Sequence, residues 1–446
     1  MKKTVSLLLI LVMAFSVISC GTAGNEENTV VDESLSGEIT FWHSFVQGAR
    51  MEAVDRAVAK FEKRYPNVKL NVETMSWSDF KVRWKEGMEN GNLPDISTAC
   101  NMYEVEELVN AGILQPADEV IDAIGRGRFS DNVLSELTHG DKVYGVPYYS
   151  HAYVMWYRKD LLDAKGLSVP STWEELYEAA CAVTDEGQGV YGCPVSMSPK
   201  DFMSAINLHM YVQSGGGSLL NDDLTANLTS DLALEGIRYW VKMYEVCSPK
   251  ETIDYTVTEQ AALFYEGKTA FDFNSGFHIS GVAGSREDLL ESISCAPLPR
   301  MNQEDDYYSA VVSHIPLVMY KDAENVEICR RFLQFLFEEE NYIDFLDSVP
   351  VGMLPSIRGI SSTEQYQSND VRKQFAEEEA VIREAMLNGM ALGFEHGPNL
   401  QAGIITSSGV IESMFQDIVL NGVDVEAAAA EAEEELNGLF TETLKQ

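Results

Sequence analysis

From residue 37 the chain alternates between two hydrophobic periods. Glu38–Phe41 reads as a strand within the stretch I-T-F-W-H-S-F at 39–45, and Val68–Val72 alternates as a second one. Between them, Met51, Val54, Val58 and Phe61 share one face of a helix predicted over 50–65, which Pro66 and Asn67 end. Ser78 is positioned to cap a helix through Phe80, Val82 and Trp84 to Met88. Gly91-Asn92-Leu93-Pro94 then turns the chain into a short strand at Asp95-Ile96, and a helix at 105–111 stops at Gly112. This β-α-β-α-β order predicts a mainly parallel sheet covered by helices, an α/β fold.

The second half keeps helices in the majority. Gly140-Asp141-Lys142 is a turn between short strands, and an aromatic-rich stretch runs from Tyr148 to Tyr157. Thr172 caps a helix over 173–184, with Glu175 placed to complete a capping box. A helix over 201–212 ends at Gly215-Gly216-Gly217. Ser230 caps a helix over 231–246 whose buried face is read as Leu232, Ile237, Trp240, Val241 and Tyr244. A short helix at 258–265 and strands at 269–273 and 309–319 follow. The remaining helices are expected over 323–338, 371–391, 402–420 and 425–440, with no solenoid repeat.

With 446 residues the chain exceeds one ordinary core, and 45% apolar content is that of a globular protein. Against 70 acidic side chains stand 32 basic ones, a formal charge of −38. Such a surface repels nucleic-acid phosphates and anionic lipid headgroups, which argues against nucleic-acid binding. The first residues carry an address. Lys2 and Lys3 precede an apolar run from Val5 to Val17, the layout of a secretory signal over 1–19. Val17-Ile18-Ser19-Cys20 resembles the bacterial lipobox, which makes Cys20 the lipidated residue that anchors the chain to a membrane. Residues 20–36 form a polar, acidic tether. No later apolar run is long enough to span a bilayer. The other six cysteines form no C-x-x-C and read as small buried hydrophobes; in an oxidising compartment Cys181 and Cys193 are the pair to consider.

Several short motifs occur in a telling order. They are Phe61-Glu62-Lys63-Arg64-Tyr65-Pro66-Asn67-Val68, Leu93-Pro94-Asp95-Ile96, Gly145-Val146-Pro147-Tyr148 and Tyr157-Arg158-Lys159-Asp160-Leu161-Leu162 with Pro170-Ser171-Thr172-Trp173-Glu174-Glu175-Leu176. Phe264-Tyr265-Glu266-Gly267-Lys268-Thr269-Ala270 and Gly352-Met353-Leu354-Pro355 complete the set. Together these resemble the family 1 extracellular solute-binding proteins, the maltose-binding-protein-like sugar receptors of ABC importers. The resemblance implies a two-lobed periplasmic-binding-protein fold (type II), each lobe a mainly parallel sheet flanked by helices. Lobe one is expected over 37–147 with a return at 308–347, and lobe two over 148–307 with 348–440. It further implies a ligand in the interlobe cleft, a carbohydrate as that ligand, ABC permease subunits as partners, no cofactor, and a monomer on the extracytoplasmic face of a bacterial membrane.

A sugar site needs aromatic platforms for C–H faces and fixed polar groups for hydroxyls. Aromatics beside polar residues at strand ends are Trp42, His43 and Ser44, then Trp77, then Asn101 and Tyr103. At the first crossing between lobes stand Tyr149, Ser150 and His151. Asp201 and Phe202 open a helix, Asn274, Ser275, Gly276, Phe277 and His278 follow a strand, His314 lies in the returning strand, and Met353 follows the last crossing. Phe277 stands where the family often carries tryptophan. Trp173 and Trp240 read as core, and His139, His209 and His396 as structural. Other readings stay open: a polyol, a sugar phosphate, ferric iron through Tyr148-Tyr149 or Tyr307-Tyr308, or a secreted carbohydrate-active enzyme. No G-x-S-x-G, H-E-x-x-H or dinucleotide fingerprint supports the last.

Overall fold

The computed structural model describes residues 31–46, 48–98, 101–304 and 310–444. The signal sequence, Cys20, most of the tether and the Tyr307-Tyr308 pair lie outside the described residues. Among the described residues no helix is long and apolar enough to cross a membrane.

The fold is α/β and two-lobed, built on two sheets. The first holds six strands: β1 (Ser36–His43), β2 (Asn67–Thr74), β3 (Ile96–Thr98), β6 (Val146–Ala152), β10 (Val312–Met319) and β11 (Leu354–Pro355), in the order β11-β6-β10-β3-β1-β2. A hairpin of β4 (Thr138–His139) and β5 (Lys142–Val143) stands beside it. The second sheet is β8 (Phe271–Asn274), β7 (Val154–Arg158) and β9 (Ile293–Ala296), in the order β8-β7-β9. β1 runs parallel to β2 from Ser36↔Asn67 to His43↔Thr74 and parallel to β3 at Phe41↔Ile96.

Every other pairing named here is antiparallel, a departure from the mainly parallel sheets read from the helix–strand alternation. The cause is the crossing. Only Tyr153 separates β6 from β7, so the chain passes from one sheet to the other without a helix, and β10 returns beside β6 in the opposite sense.

Two large apolar cores flank the crossing. One centres on Phe41, Phe61, Phe332 and Phe335, with Phe61 edge-on to Phe332 at 5.1 Å. The other holds Trp173, Trp240 and Phe273, with Trp240 edge-on to Phe273 at 5.7 Å. The indole of Trp240 donates to the Asn207 carbonyl at 2.8 Å and that of Trp173 to Ser214 Oγ at 2.7 Å, so neither N–H is buried unpaired.

Several boundaries differ from the sequence reading for local reasons. The Gly48–Arg64 helix buries Arg50, Ala53, Val54, Ala57 and Phe61, leaving Met51 exposed, because small alanines let the helix approach its neighbours closely. Ser76 rather than Ser78 caps the Trp77–Asn90 helix, its hydroxyl accepting the Asp79 N–H. Glu175 accepts from Ser171 N–H at 2.8 Å, while a full capping box forms at Thr256 and Glu259. The helix read over 402–420 breaks at Gly409 into Leu400–Ser408 and Val410–Asn421. Gly409 has φ 72°, and a Cβ there would lie 2.5 Å from the Pro199 carbonyl oxygen, so both conformation and space demand glycine.

Candidate functional site

The two-residue alternation of side chains at the end of β1 organises the site. Phe41, His43 and Phe45 fall on one face, with His43 between them at 5.3 and 5.4 Å by ring centroids. His43 is fully enclosed. Its Nδ1 accepts the Phe45 N–H at 3.2 Å, so its Nε2 carries the proton toward Thr74 Oγ1 at 3.0 Å. Burial, then the nearby Arg50 charge, pulls its pKa down to about 4, and the ring is neutral at pH 7.

Arg50, in the first turn of the Gly48–Arg64 helix, is buried between two rings. Its guanidinium carbon is 5.2 Å from the Phe45 centroid and 5.4 Å from that of Phe277, and Nη1 donates to Tyr149 Oη at 3.3 Å. Phe277 opens the Phe277–Ser285 helix just after β8. His151 presents to Phe277 at 6.1 Å and 88°, and Tyr149 and Tyr153 each lie 6.3 Å from His151. One belt of rings therefore runs from the end of β1, along β6, to the end of β8. Burial, then Arg50, lowers His151 to about 4 as well.

Beneath the belt sits a buried polar cluster. Ser150 Oγ is 2.7 Å from His314 Nδ1 and 2.9 Å from Ser356 Oγ, which links β6, β10 and the residue after β11. His314 Nε2 is 3.4 Å from Glu136 Oε2, and Glu136 Oε1 accepts from Ala391 N–H at 3.3 Å. Burial pushes Glu136 up to about 8 and His314 down to about 3. The two face each other as a neutral acid and a neutral imidazole, because desolvation outweighs the attraction an ion pair would gain.

A family model of bacterial extracellular solute-binding proteins matches residues 47–343. The chain belongs to that family. Over 438 residues it is 21% identical to YcjN of Escherichia coli (strain K12), whose name places it among ABC transporter periplasmic-binding proteins; the match covers 96% of this chain and 98% of that one. Among solved structures it resembles an ABC transporter solute-binding protein from Thermotoga lettingae TMO bound with α-D-tagatose. That match has a TM-score of 0.77 and 22% identity, covering 91% of this chain and all of the other (100%). A second, from Agrobacterium radiobacter K84 in complex with ribitol, gives a TM-score of 0.76 at 18% identity over 91% of this chain and 99% of that one. The fold is that of two-lobed periplasmic binding proteins, and at family level the chain is a binding protein of an ABC transporter rather than an enzyme.

Of the residues singled out in the sequence of this solute-binding protein, His43, Tyr149, His151 and Phe277 share the ring belt, and Ser150 and His314 share the polar cluster. Tyr103 lies edge-on to Phe394 at 5.3 Å, and its hydroxyl is raised by burial and by the Glu136 and Glu395 carboxylates. Asn101 caps the Met102–Asn110 helix by accepting the Glu104 N–H at 3.2 Å. Both line a separate pocket of about 280 Å³ against Gly403, Ile404 and Thr406. Trp42 points to the other face of β1, 3% exposed under the Arg83 guanidinium at 4.7 Å. Ser44 is buried beside it, its hydroxyl without a partner among the described residues. Trp77 opens its helix, and its side chain lies outside the described part.

On the far side, Asp201 accepts the Phe202 N–H at 2.8 Å and also the Val257 N–H, and Phe202 packs on the second core. Asn274 accepts the Ser275 N–H at 2.8 Å, and Ser275 is buried. His278 turns inward to Asp272 at 2.7 Å. Met353 is completely enclosed.

Phe45, Arg50, Glu136 and Ser356 were not singled out. Phe45 continues the period of two begun by Phe41 and His43, and that period was the signal available. Arg50 read as an ordinary helical residue, and no local pattern marks Glu136 or Ser356.

Proposed function

We propose that this solute-binding protein receives a carbohydrate or polyol in the cleft between its lobes and delivers it to the permease of an ABC importer. The observation that carries this reading is the belt of His43, Phe45, Tyr149, His151, Tyr153 and Phe277, with Arg50 among them. Rings suit the C–H faces of a sugar, and the His151 imidazole, held neutral by burial, suits its hydroxyls without imposing a charge. The sugar- and polyol-bound structural relatives accord with it.

In this reading the lobes are 37–147 with 308–347 and 148–307 with 348–440, and β6, β10 and the β11 segment are the hinge. Ligand touches both lobes only when they are closed, so binding shifts the population toward closure. Cys20 carries the lipid that holds the receptor at the extracytoplasmic membrane surface, and residues 20–36 are its tether.

The test is a thermal-shift panel of ketohexoses, pentitols, malto-oligosaccharides, sugar phosphates and ferric iron. A ligand at one hundred times its Kd adds about 2.7 kcal/mol to stability. A shift with an uncharged sugar or polyol supports the proposal. A shift confined to ferric iron or to phosphorylated sugars overturns it, and turnover of a glycoside would make the protein an enzyme.

A further inference from the structure

Five cysteines are described, and the structure sorts them by neighbour. Cys193 Sγ turns toward the Pro194 carbonyl at 3.7 Å, and Cys295 Sγ toward the Glu378 carbonyl at 3.8 Å. Cys329 is wholly buried on the Val326–Leu336 helix. Cys181 and Cys247 differ. Their sulfurs stand 3.1 Å apart although the residues are 66 positions apart in the chain. Cys181 lies in the last turn of the Trp173–Val183 helix, and Cys247 is the final residue of the Asp231–Cys247 helix. The partner expected for Cys181 from sequence spacing, Cys193, is displaced by Cys247 because the ends of these two helices converge.

We propose that Cys181 and Cys247 are a modification site: an intrachain disulfide that forms after export. The sulfurs need to approach by roughly one ångström to reach a bond length of about 2.05 Å. The surroundings are held in place. Gly192 and Cys193 both donate their N–H to the Cys247 carbonyl, at 3.0 and 3.2 Å, and Gly192 accepts the Phe271 N–H of β8 at 2.8 Å. The helix end that carries Cys247 is thus fixed to the second sheet. Cys181 is partly exposed while Cys247 is fully buried, so an oxidant reaches Cys181 first.

The extracytoplasmic place of the family supplies the oxidant, a disulfide-bearing thiol oxidase or a small-molecule disulfide. The Cys181 thiolate attacks one sulfur of that disulfide, forming a mixed disulfide and releasing one thiol. Burial holds the Cys247 thiol protonated, so it gives up its proton as its sulfur attacks Cys181 Sγ across the 3.1 Å gap and displaces the second thiol. Two protein thiols lose two electrons and two protons, and the oxidant leaves as two thiols. The bond closes a long loop of the unfolded chain and clips two helices behind β8.

The experiment incubates the full purified chain with oxidised glutathione, then digests it without reduction for mass spectrometry. The expected result is a peptide linking Cys181 to Cys247, lighter by two hydrogens than its two parts. Melting should fall by several degrees when dithiothreitol is added. Cys181→Ser should melt lower than the oxidised parent and lose its response to dithiothreitol; being partly exposed, position 181 tolerates serine in the fold. Cys193→Ser should keep the link. Full alkylation of both thiols after oxidation, or a link that includes Cys193, overturns the proposal. Neither readout uses a ligand, so failure of the carbohydrate reading would leave this result intact.

Discussion

The Arg50 guanidinium lies 5.4 Å from the centre of the Phe277 ring. Arg50 belongs to a helix that packs on β2, and Phe277 follows the last residues of β8, so one cation–π contact joins elements of both sheets. Such contacts contribute about 0.5–2 kcal/mol according to how dry they are. Arg50→Ala is therefore expected to loosen closure. Small-angle scattering of the ligand-free protein should show a larger radius of gyration than the parent, and an identical curve would count against the contact as a latch. Arg50→Lys should behave nearly like alanine, because a lysine keeps the charge but loses the flat face that stacks.

Phe277→Ala removes a ring from the belt. For whichever solute stabilises the parent, its Kd is expected to rise tenfold or more, a loss of about 1.4 kcal/mol. Calorimetric titration measures this directly, and an unchanged Kd would place the ligand elsewhere.

The buried Glu136 makes stability depend on pH in a definite direction. Its carboxyl is raised from 4.5 to about 8, and that of Glu412 likewise to about 8. Groups raised on folding contribute in full below their unfolded value and lose that contribution as pH rises through the folded one. His43, His151 and His314 are lowered from 6.5 to about 4, 4 and 3, so theirs is complete above 6.5 and lost as pH falls through those values. Urea melts should place maximum stability near pH 6.5, because below it the three histidines outweigh the two carboxyls, with a decline from there toward pH 8. Each raised carboxyl contributes a slope of at most about 1.4 kcal/mol per pH unit. Glu136→Gln should flatten that alkaline limb, and a limb of the same slope would show that Glu136 is not its source.

Gly276 precedes Phe277 and packs against the Val351 backbone. A Cβ there would lie 2.3 Å from the Val351 carbonyl oxygen, and Val351 itself is held at φ 67°. A β-branched residue in the left-handed region is uncommon and costs energy. Gly276→Ala must push this strained segment away, with an expected loss of about 1–3 kcal/mol in denaturant unfolding. Weaker ligand binding should accompany it, since Phe277 shifts with its neighbour.

Trp240 sits fully buried against Trp173 and Phe273. Trp240→Ala should cost about 3–5 kcal/mol by emptying that space and removing the indole bond to the Asn207 carbonyl. Equilibrium unfolding would show it, and a loss below about 1 kcal/mol would mean the core collapses around the gap.

The amino-acid sequence alone determined the class of fold, the order of β1, β2 and β3 with their helices, and Trp173 and Trp240 as core. These features rest on hydrophobic period, capping serines and threonines, and glycine or proline stops, all written within a few residues of one another. His43, Tyr149 and Phe277 were legible as candidates because aromatic residues beside polar ones at strand ends are a local pattern. What only the tertiary structure decided depends on distance across the chain. Arg50 joined the belt because its helix crosses Tyr149, 99 residues away. Glu136 met His314 only when β10 returned beside β6. Trp42 went under Arg83, since a strand alternates sides and its neighbour His43 took the face toward Phe45. Cys247 displaced Cys193 as the neighbour of Cys181 for the same reason: helix ends meet by packing, and spacing along the chain carries no record of which sulfurs come within 3.1 Å.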